Sequence, residues 1–324
     1  MLEYEFLVGE SRGGAVDVLS DILSTIRLES SVFAQLRLVA PWGIRATERD
    51  HFAFHVITRG HCMLEVEGSR PLHLQAGEVV VLSPGYSHSL RDRPDSPTRD
   101  LGEMLASGAF QSQAVGMDAS AHLICGCFRF QDLRHNLLVS ALPSVIHARD
   151  AGDEAGLWLA QTLRLLSYES LSERPGKATV VNRLCDALFV YIVRSHLAAL
   201  PVGESSWLRG LGERAVGTAL GLMHEQPAKP WTLAELASQV RLSRSAFAVR
   251  FRTTVGDTPM QYLSKWRLER AAAMLRDGAV VEEASAAAGY ESVAAFSKAF
   301  KRHLSVPPGA YRRMVSKRPA VSAV

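Results

Sequence analysis

Two stretches near the carboxy-terminal end, residues 232–255 and 281–306, follow one helix-turn-helix plan. In each, a short amphipathic helix reaches a tight turn, and a serine (Ser243 or Ser292) then opens a second helix. Each second helix carries two phenylalanines four residues apart, and the two helices are offset by 49 residues. Since residues four apart share a helix face, each pair predicts an apolar inward edge and a polar or small outward edge. The duplication therefore predicts a helical module that presents two outward edges.

The start of the first copy is specified by its capping residues. Thr232 is a good N-cap, and Glu235 three residues later completes a capping box. Trp231 and Leu236 are placed as a hydrophobic staple around it. The outward face of the second helix in this copy then carries Arg244, Ser245, Ala248, Val249 and Arg252. The corresponding face of the other copy, which turns at Gly289, carries Val293, Ala294, Ser297, Lys298 and Lys301.

The distribution of charge indicates which partner these faces bind. Residues 216–318 contain 16 Lys and Arg and 8 Asp and Glu, a net charge of +8, whereas the rest of the chain carries −5 within a total of +3. When basic side chains neutralise DNA phosphates, counterions are released, and this release favours binding. The logarithm of the binding constant then falls with the logarithm of salt concentration, with a slope of roughly −0.9 per phosphate contacted. The alternative is a solvated face on an ordinary helical bundle. Charge, helical spacing and duplication coincide, and together they favour double-stranded DNA.

Specific runs in this tail resemble a known family. WTLAELA (231–237), LSRSAF (242–247) and PMQYL (259–263) are similar to the DNA-binding domain of AraC/XylS-family transcription regulators. So are AGYES (288–292), AFSKAFKR (295–302) and PGAYRR (308–313). The resemblance covers about a hundred residues and implies a seven-helix module in which a helix at about 257–276 joins two readers of successive major grooves. It also implies RNA polymerase as a partner, with activation favoured over repression.

The tail departs from the family pattern at two places. Arg241 occupies a turn position where the family usually has Gly, and a left-handed conformation there would cost a non-Gly residue roughly 1–2 kcal/mol. In the second unit, Ala284 and Ala288 stand where larger aliphatics are usual, and Ser285 stands where Ala is usual. Each missing CH₂ removes about 0.8 kcal/mol of burial, so we expect the second unit to be the looser reader.

The outward faces are poor in side chains that discriminate bases. Ala248, Val249, Val293 and Ala294 can touch a thymine methyl group but cannot make the bidentate hydrogen bonds that identify guanine or adenine. The charged residues are expected to contact phosphate or sugar more than bases. These residues are Arg244, Arg252, Lys298, Lys301 and Arg302.

Residues 27–130 predict short β-strands. The segments 34–39, 52–58, 61–67, 71–75, 78–83 and 122–130 are rich in Val, Phe, Leu and Ile and are separated by Gly, Pro, Ser and Asp. This pattern favours a closed or double-sheet β architecture. The stretch from Phe54 to His88, with Gly60, Gly77 and Gly85 at its turns, is similar to the cupin barrels that AraC-type regulators carry at their amino end.

A cupin raises the question of a metal. His51 and His55 share a strand face, with Glu65 and His88 on neighbouring strands. Mononuclear cupin enzymes normally carry two His separated by one residue and a Glu soon after, a pattern absent from this sequence, so we expect neither metal nor cofactor. His55 and His88 either line the barrel mouth and touch an effector or are ordinary hydrogen-bonded strand histidines, and both alternatives stay open.

Cysteines suggest a second kind of signal. Cys125 and Cys127 lie on one face of a predicted strand and Cys62 lies on another, so a redox pair is conceivable if these strands are neighbours. Packing as small apolar core residues is the favoured alternative. The four cysteines have no framework spacing, which is typical of a reducing cytoplasm.

Neither a leader nor a membrane span is expected. The opening residues, MLEYEFLVGE, are acidic rather than basic and then apolar. The longest apolar stretch, near 179–193, is interrupted by Asn182, Arg183 and Asp186. These features predict a cytoplasmic protein without a membrane partner.

Two helices are predicted between the strands and the tail, at residues 153–170 and 178–199. The second carries an apolar stripe suited to packing on the barrel, on the first helix or on another subunit, and the resemblance favours a homodimer through it. The stripe consists of Val181, Leu184, Leu188 and Ile192. Residues 201–209 have the composition of a hinge.

These expectations combine into an α+β, two-domain chain. An N-terminal cupin-like β-barrel or jelly roll (1–150) senses an effector, a helical coupling or dimerisation segment follows (151–207), a C-terminal all-α double helix-turn-helix (208–318) binds DNA, and residues 319–324 form a disordered tail. The predicted function is sequence-specific transcription regulation controlled by a small-molecule or redox signal. The alternative is a cupin-type metal enzyme with a basic helical appendage, which would require a metal triad or a nucleophile with its base.

Overall fold

The computed structural model describes residues 16–47, 50–107, 119–130, 136–200 and 205–316, and they group into two compact units. The cupin unit comprises the described residues of 26–134 and 139–202. The helical unit comprises those of 203–321 together with 16–25 and 136–138. Residues 16–25 therefore group with the helical unit, whereas the sequence predicted one amino-terminal domain over 1–150.

Two five-stranded sheets form the cupin unit, in the orders β1-β9-β3-β6-β10 and β5-β4-β7-β2-β8. Neighbouring strands are antiparallel except for the parallel pair β2 and β8. The strands are β1 Leu28–Leu38, β2 Gly43–Ala46, β3 Phe52–Arg59, β4 His61–Val66, β5 Leu72–Gln75, β6 Val79–Leu82, β7 His88–Arg91, β8 Arg99–Asp100, β9 Ala121–Phe130 and β10 Val145–Ala148.

All six predicted strands are present, with ends displaced by at most one residue except for β1, which begins six residues earlier than expected. The sequence missed β2, β7, β8 and β10, which are only two to four residues long. Because β5 and β6 are equally short and were predicted, length alone does not explain the difference. The missed strands form because their neighbours offer backbone partners.

The core of the cupin unit lies between the two sheets. Leu36 and Ile57 from the first sheet and Leu64 and Leu90 from the second are at most 2% exposed and belong to one apolar cluster. Because each strand directs alternate residues to this layer, the two sheets bury a shared face. The predicted double-sheet architecture is confirmed.

Helices cover the opposite face of the first sheet. Helix α4 (Glu154–Ser170) packs on α5 (Lys177–Ala199), and α5 packs on β1 and β10. The Phe189 ring of α5 lies 5.1 Å from that of Phe128 and 5.3 Å from that of Phe130. Opposite Phe54, a Cβ at Gly126 would overlap the phenylalanine ring, so β9 needs glycine there.

The apolar stripe of α5 is used within the chain. Val181, Leu188 and Ile192 are buried and Leu184 is half-buried. The prediction that this stripe forms a dimer interface is wrong, because strands of the same unit and helix α4 already cover it. The helices themselves match their predicted ranges to within one residue.

The helical unit contains the predicted seven-helix module. Its helices are α7 Arg214–Glu225, α8 Leu233–Gln239, α9 Arg244–Val255, α10 Pro259–Arg276, α11 Val281–Ala287, α12 Val293–Leu304 and α13 Pro308–Ser316. The remaining helices of the chain are α1 Val18–Ser24, α2 Leu101–Ala106, α3 Leu137–Ala141 and α6 Trp207–Gly212. Helix α6 occupies the end of the predicted hinge; residues 201–204 and the predicted tail at 319–324 lie outside the described residues.

The two helix-turn-helix units share one turn geometry. The Leu242 amide donates to the Ala237 carbonyl at 2.9 Å, and the Tyr290 amide donates to the Ser285 carbonyl at 3.1 Å. Arg241 (φ 57°) and Gly289 hold the same left-handed position, as expected for the first turn. The second turn has one more residue before its serine cap, which accounts for the offset of 49 between the second helices.

Each Phe pair anchors its second helix. Phe247 and Phe251 are fully buried, and the Phe251 ring lies 6.0 Å from the Tyr262 ring of α10. In the second unit, Phe296 and Phe300 are equally buried. Helix α11 adds little to that core beyond small side chains, as its sequence predicted. Within the described residues, no helix is long and apolar enough to cross a membrane.

Candidate DNA-binding and effector sites

The second helix of the first unit, α9, has an exposed face opposite its buried phenylalanines. Of the residues predicted there, Arg244, Ser245 and Arg252 are exposed, Val249 is 67% exposed and Ala248 is half-buried. Ser243 caps the helix by accepting a hydrogen bond from the Ala246 amide at 3.2 Å. The cap satisfies a backbone donor at the end that would approach base edges.

Helix α12 presents a comparable face. Val293 is 38% exposed, Ala294, Lys298, Lys301 and Arg302 are exposed, and Ser297 is half-buried. Ser292 caps this helix through the Ala295 amide at 3.2 Å. The same local chemistry therefore starts both candidate reading helices.

Four exposed residues on these faces were not predicted. They are Ala246, Arg250 and Thr253 on α9 and Ala295 on α12. The sequence contained a signal for those on α9. Val255 continues the buried row of Phe247 and Phe251, and this longer row turns the outward face of α9 toward Ala246 and Thr253.

Some cations of the helical unit hold the fold together. The Arg267 guanidinium donates to the carbonyl oxygens of Pro227 and Lys229, both at 2.6 Å. Lys265 pairs with Asp257 at 2.7 Å. In contrast, within the described residues no ion pair or hydrogen bond engages the charged groups of Arg244, Arg252, Lys298, Lys301 and Arg302. Those five charges remain available to phosphates.

A cavity of about 190 Å³ opens in the cupin unit beside β3 and β7. Apolar and aromatic side chains form most of its wall, and a few polar groups converge on it. The lining residues are Phe33, Ala46, Thr47, His51, Ala53, His55, Leu82, Ser83, Tyr86, His88, Leu101, Leu105 and Arg129. This combination of an apolar wall and few polar groups is typical of small-molecule sites.

Two histidines meet at the wall of this cavity. The His55 Nε2 and His88 Nε2 atoms are 2.7 Å apart, and the His55 Nδ1 atom lies 3.1 Å from the Cys125 Sγ atom. The two histidines are 1% and 5% exposed. Both candidates from the sequence therefore lie together in one hydrogen-bonded chain that ends at a thiol.

Burial keeps this histidine pair uncharged. Desolvation, with a smaller contribution from His88, holds the pKa of His55 well below its usual range. Desolvation also lowers the pKa of His88 to about 4, although a hydrogen bond that the ring donates to the Tyr86 backbone raises it. At neutral pH the pair is neutral, so one Nε2–H donates to the other Nε2.

The candidate cysteines are all buried. Cys62 and Cys125 belong to the apolar core between the sheets, and burial raises the pKa of Cys62 to about 12 and that of Cys125 further. Cys127 lies 3.2 Å from the Ser31 hydroxyl, and Cys185 is buried on α5. Thiols in this state are poor nucleophiles.

No cluster of three or more His, Cys, Asp or Glu suited to a metal ion occurs among the described residues. The carboxylate of Glu65 instead accepts a hydrogen bond from Ser89 and pairs with Arg91 at 3.1 Å. His51 is half-buried at the cavity beside β3.

Comparisons with known proteins bear on both sites. A family model described as a cupin matches residues 17–198, and one described as a helix-turn-helix domain matches residues 236–314. An AraC-like transcription regulator of Streptomyces lividans is 35% identical over 92% of this chain and 98% of its own length. The HTH-type transcriptional regulator AlkR of Acinetobacter baylyi is 29% identical over 92% of this chain and 99% of its own. A solved structure of the DNA-binding domain of AdpA with a target DNA is 28% identical, with a TM-score of 0.32, over 33% of this chain and 98% of that chain.

Proposed function

This chain belongs to the AraC-like transcription regulators, and we propose that it holds operator DNA with α9 and α12 under the control of a small molecule bound in the cupin cavity. The observation that carries this proposal is the pair of exposed helix faces with five unengaged cations. Effector binding would change how the two helices are presented to DNA, through a coupling free energy of typically ~1–3 kcal/mol.

The five cations support phosphate contacts. Arg252 of α9 and Lys301 of α12 are 49 residues apart, so they hold equivalent positions in the duplicated module. A cation that neutralises one phosphate contributes about 0.9 to the log–log salt slope of binding. Base-independent contacts of this kind fix the register of each helix on the duplex.

A salt titration tests the DNA-binding surface. Full-length protein is titrated against a pool of random-sequence duplexes at several NaCl concentrations, and Arg252→Gln or Lys301→Gln should each reduce the slope by about 0.9. Arg194→Gln is the matched control, since Arg194 is an exposed cation on α5 of the cupin unit. Unchanged slopes in both variants, or an equal change in the control, would contradict the assignment.

The cavity supports a small organic effector. Its volume of about 190 Å³ is below the roughly 300–1,000 Å³ of drug-sized ligand sites, which favours a compact molecule. The neutral ring of His88, whose Nδ1 atom is not used in the contact with His55, suits a hydrogen bond to an uncharged polar group, while the rest of the wall suits an apolar body. Of the five residues that the sequence predicted as sensors, His55 and His88 line the cavity. Cys62, Cys125 and Cys127 are buried and are not part of its lining.

Blocking the cavity tests this site. A panel of small neutral compounds is screened for increased thermal stability of the full chain, and Ala53→Leu should abolish the increase because Ala53 lines the cavity. Ala198→Leu, at an exposed position of α5, is the control and should keep it. An increase that survives in Ala53→Leu would place the ligand elsewhere, and no increase for the wild type would count against a small neutral effector.

A homodimer is part of the proposal, through a face other than the one expected. Helix α4 and its flanks carry a row of exposed large apolar residues. They are Leu157, Trp158, Leu165, Tyr168 and Leu171, with Val180 of α5 beside them. In an antiparallel pair of α4 helices centred near residue 163, Trp158 of one copy would face Tyr168 of the other, so the row is self-complementary.

Activation through RNA polymerase in the cytoplasm completes the proposal. It is supported by the family, not by a feature of the fold. Transcription in vitro with purified polymerase and a bound promoter should increase when the protein is added, and a decrease would assign repression.

A further inference from the structure

The duplicated module allows the two reading helices to be compared residue by residue. With the offset of 49, Ser245 corresponds to Ala294, and Val249 corresponds to Lys298. Val249 and Lys298 each lie in the second turn of their helix, on the side away from the buried Phe pair. The central position of one reading face is therefore aliphatic, and that of the other is cationic.

Val249 is unusually open for an aliphatic side chain. It is 67% exposed, more than any other large apolar residue in the described part of the chain. Its neighbours on the outward face are Ser245 and Ala246 before it and Thr253 after it, with Arg250 beside them. Val249 itself cannot make a bidentate hydrogen bond to a base.

Three arginines of α9 lie near Val249. Arg244 and Arg252 are exposed and belong to the five cations assigned to phosphate contacts. Arg250 approaches Glu213 at 3.9 Å, which draws its guanidinium toward α7. The side chain that remains at the centre is a branched hydrocarbon, and the only base feature in the major groove that it complements is the thymine methyl group.

We infer that Val249 reads a thymine by packing against its C5-methyl group, while Lys298, at the equivalent position of α12, contacts phosphate. The two half-sites then differ at this position, because only the one bound by α9 requires a thymine methyl there. This inference rests on the proposed placement of α9 in the major groove.

Deoxyuridine isolates the methyl group, because it keeps the base pair and removes only that carbon. The full-length protein is used to select a duplex from a random-sequence library, and each thymine of the selected duplex is replaced singly by deoxyuridine. We expect about fourfold weaker binding at one position, which corresponds to about 0.8 kcal/mol for one buried methyl at 1.4 kcal/mol per tenfold change.

Variants assign that position to a side chain. In Val249→Ala the thymine-to-deoxyuridine ratio at the sensitive position should fall from about four to about one. In Lys298→Ala it should stay near four, although overall affinity falls. Both side chains are exposed, so the fold is not at risk, and an unchanged unfolding temperature verifies this. Met314→Ala, at an exposed apolar position of α13, should behave as wild type.

The outcomes separate two failures. If no duplex in the library shows salt-sensitive binding, the proposed function itself is wrong. If a duplex is selected but no thymine is sensitive to loss of its methyl, or if the sensitivity persists in Val249→Ala, regulation by DNA binding stands and the role of Val249 is overturned.

Discussion

The Nε2 atom of His55 lies 2.7 Å from the Nε2 atom of His88, at the wall of the cupin cavity. One of the two nitrogens must carry a hydrogen and the other a lone pair, because two donors could not approach this closely. The contact therefore requires at least one neutral ring. Burial, which lowers the pKa of both residues, supplies that condition at neutral pH.

Acidification should destabilise this pair. His88 in the unfolded chain binds a proton near pH 6.5, but in the folded protein only near pH 4. The unfolded state therefore gains protons first as the pH falls, and stability declines between about 6.5 and about 4. By pH 4.5 we expect His88 to contribute a loss of about 2–3 kcal/mol, with a further loss from His55, measured by urea unfolding at a series of pH values.

Comparison with His55→Gln/His88→Gln removes the contribution of other titrating groups. The difference in unfolding free energy between wild type and this double variant should shrink, or change sign, as the pH falls from 7 to 4.5. A constant difference over that interval would mean that the pair does not titrate as its burial requires.

A substitution in the turn of the first helix-turn-helix unit should stabilise the helical unit. Arg241 has φ 57°, which costs a side chain with a Cβ roughly 1–2 kcal/mol. Glycine removes this strain but costs roughly 0.5–1 kcal/mol in chain entropy. Arg241→Gly should therefore raise the unfolding free energy of the helical unit by about 0.5–1 kcal/mol, seen as a higher unfolding temperature.

The equivalent turn provides the reverse experiment. Gly289 has φ 71°, and an added Cβ would lie 2.6 Å from the backbone oxygen of Ala228. Gly289→Ala should destabilise the unit by more than 1 kcal/mol. Equal effects of Arg241→Gly and Gly289→Ala would disprove this account of the turns.

A buried histidine ties α1 to the rest of the helical unit. The His224 Nδ1 atom lies 2.7 Å from the Asp21 carboxylate, and its Nε2 atom lies 2.8 Å from the Tyr262 hydroxyl. Burial lowers the pKa of His224 although Asp21 opposes this, so the neutral ring donates from Nδ1 and accepts at Nε2. Asp21→Ala leaves that donor without its partner and should cost about 1–3 kcal/mol in thermal or urea unfolding.

Asp21→Asn is the matched control, because its amide oxygen can still accept the hydrogen bond. We expect it to retain most of the stability lost in Asp21→Ala. The same loss in both variants would show that the carboxylate charge, not the hydrogen bond, stabilises this contact.

Disrupting the exposed row on α4 should separate the proposed dimer. Leu165→Asp places a charge at the middle of that row, where association would have to desolvate it. We expect the variant to sediment as a monomer at concentrations where the wild type is a dimer. Met314→Asp, at an exposed apolar position of α13, is the control. A wild-type monomer at all concentrations, or an unaffected Leu165→Asp dimer, would contradict the interface.

The thiols should resist modification in the native protein. With the pKa of Cys62 near 12, about one thiol in ten thousand is ionised at pH 8. We expect slow reaction of all four cysteines with a disulfide reagent before unfolding and rapid reaction after it, and no change in DNA binding after hypochlorite or peroxide treatment. A Ser69→Cys variant, altered in an exposed turn, provides a fast-reacting reference. Rapid reaction of the cysteines in the native protein, together with altered DNA binding after oxidation, would support a redox signal instead.

Much of the helical unit could be read from the sequence because its signals are local. Thr232 and Glu235 form the predicted capping box, and the Phe pairs are buried as their spacing required. The two phenylalanines alone do not fix the outward face of α9, because the buried Val255 turns that face toward Ala246 and Thr253. In the cupin unit, six strands were predictable from their Val, Phe, Leu and Ile content, whereas β2, β7, β8 and β10 form only because distant parts of the chain supply their backbone partners.

By itself, the sequence determined which segments form the main helices and six of the strands, which edge of each reading helix is apolar and that the positive charge is concentrated in the tail. Only the tertiary structure decided that His55 meets His88 and Cys125, that the stripe of α5 packs on β1 and that α1 groups with the helical unit. The reason is physical: backbone geometry assigns each residue to a face from its nearest neighbours along the chain. The partner of that face depends on strand order and register, which are set by contacts between residues far apart in the sequence.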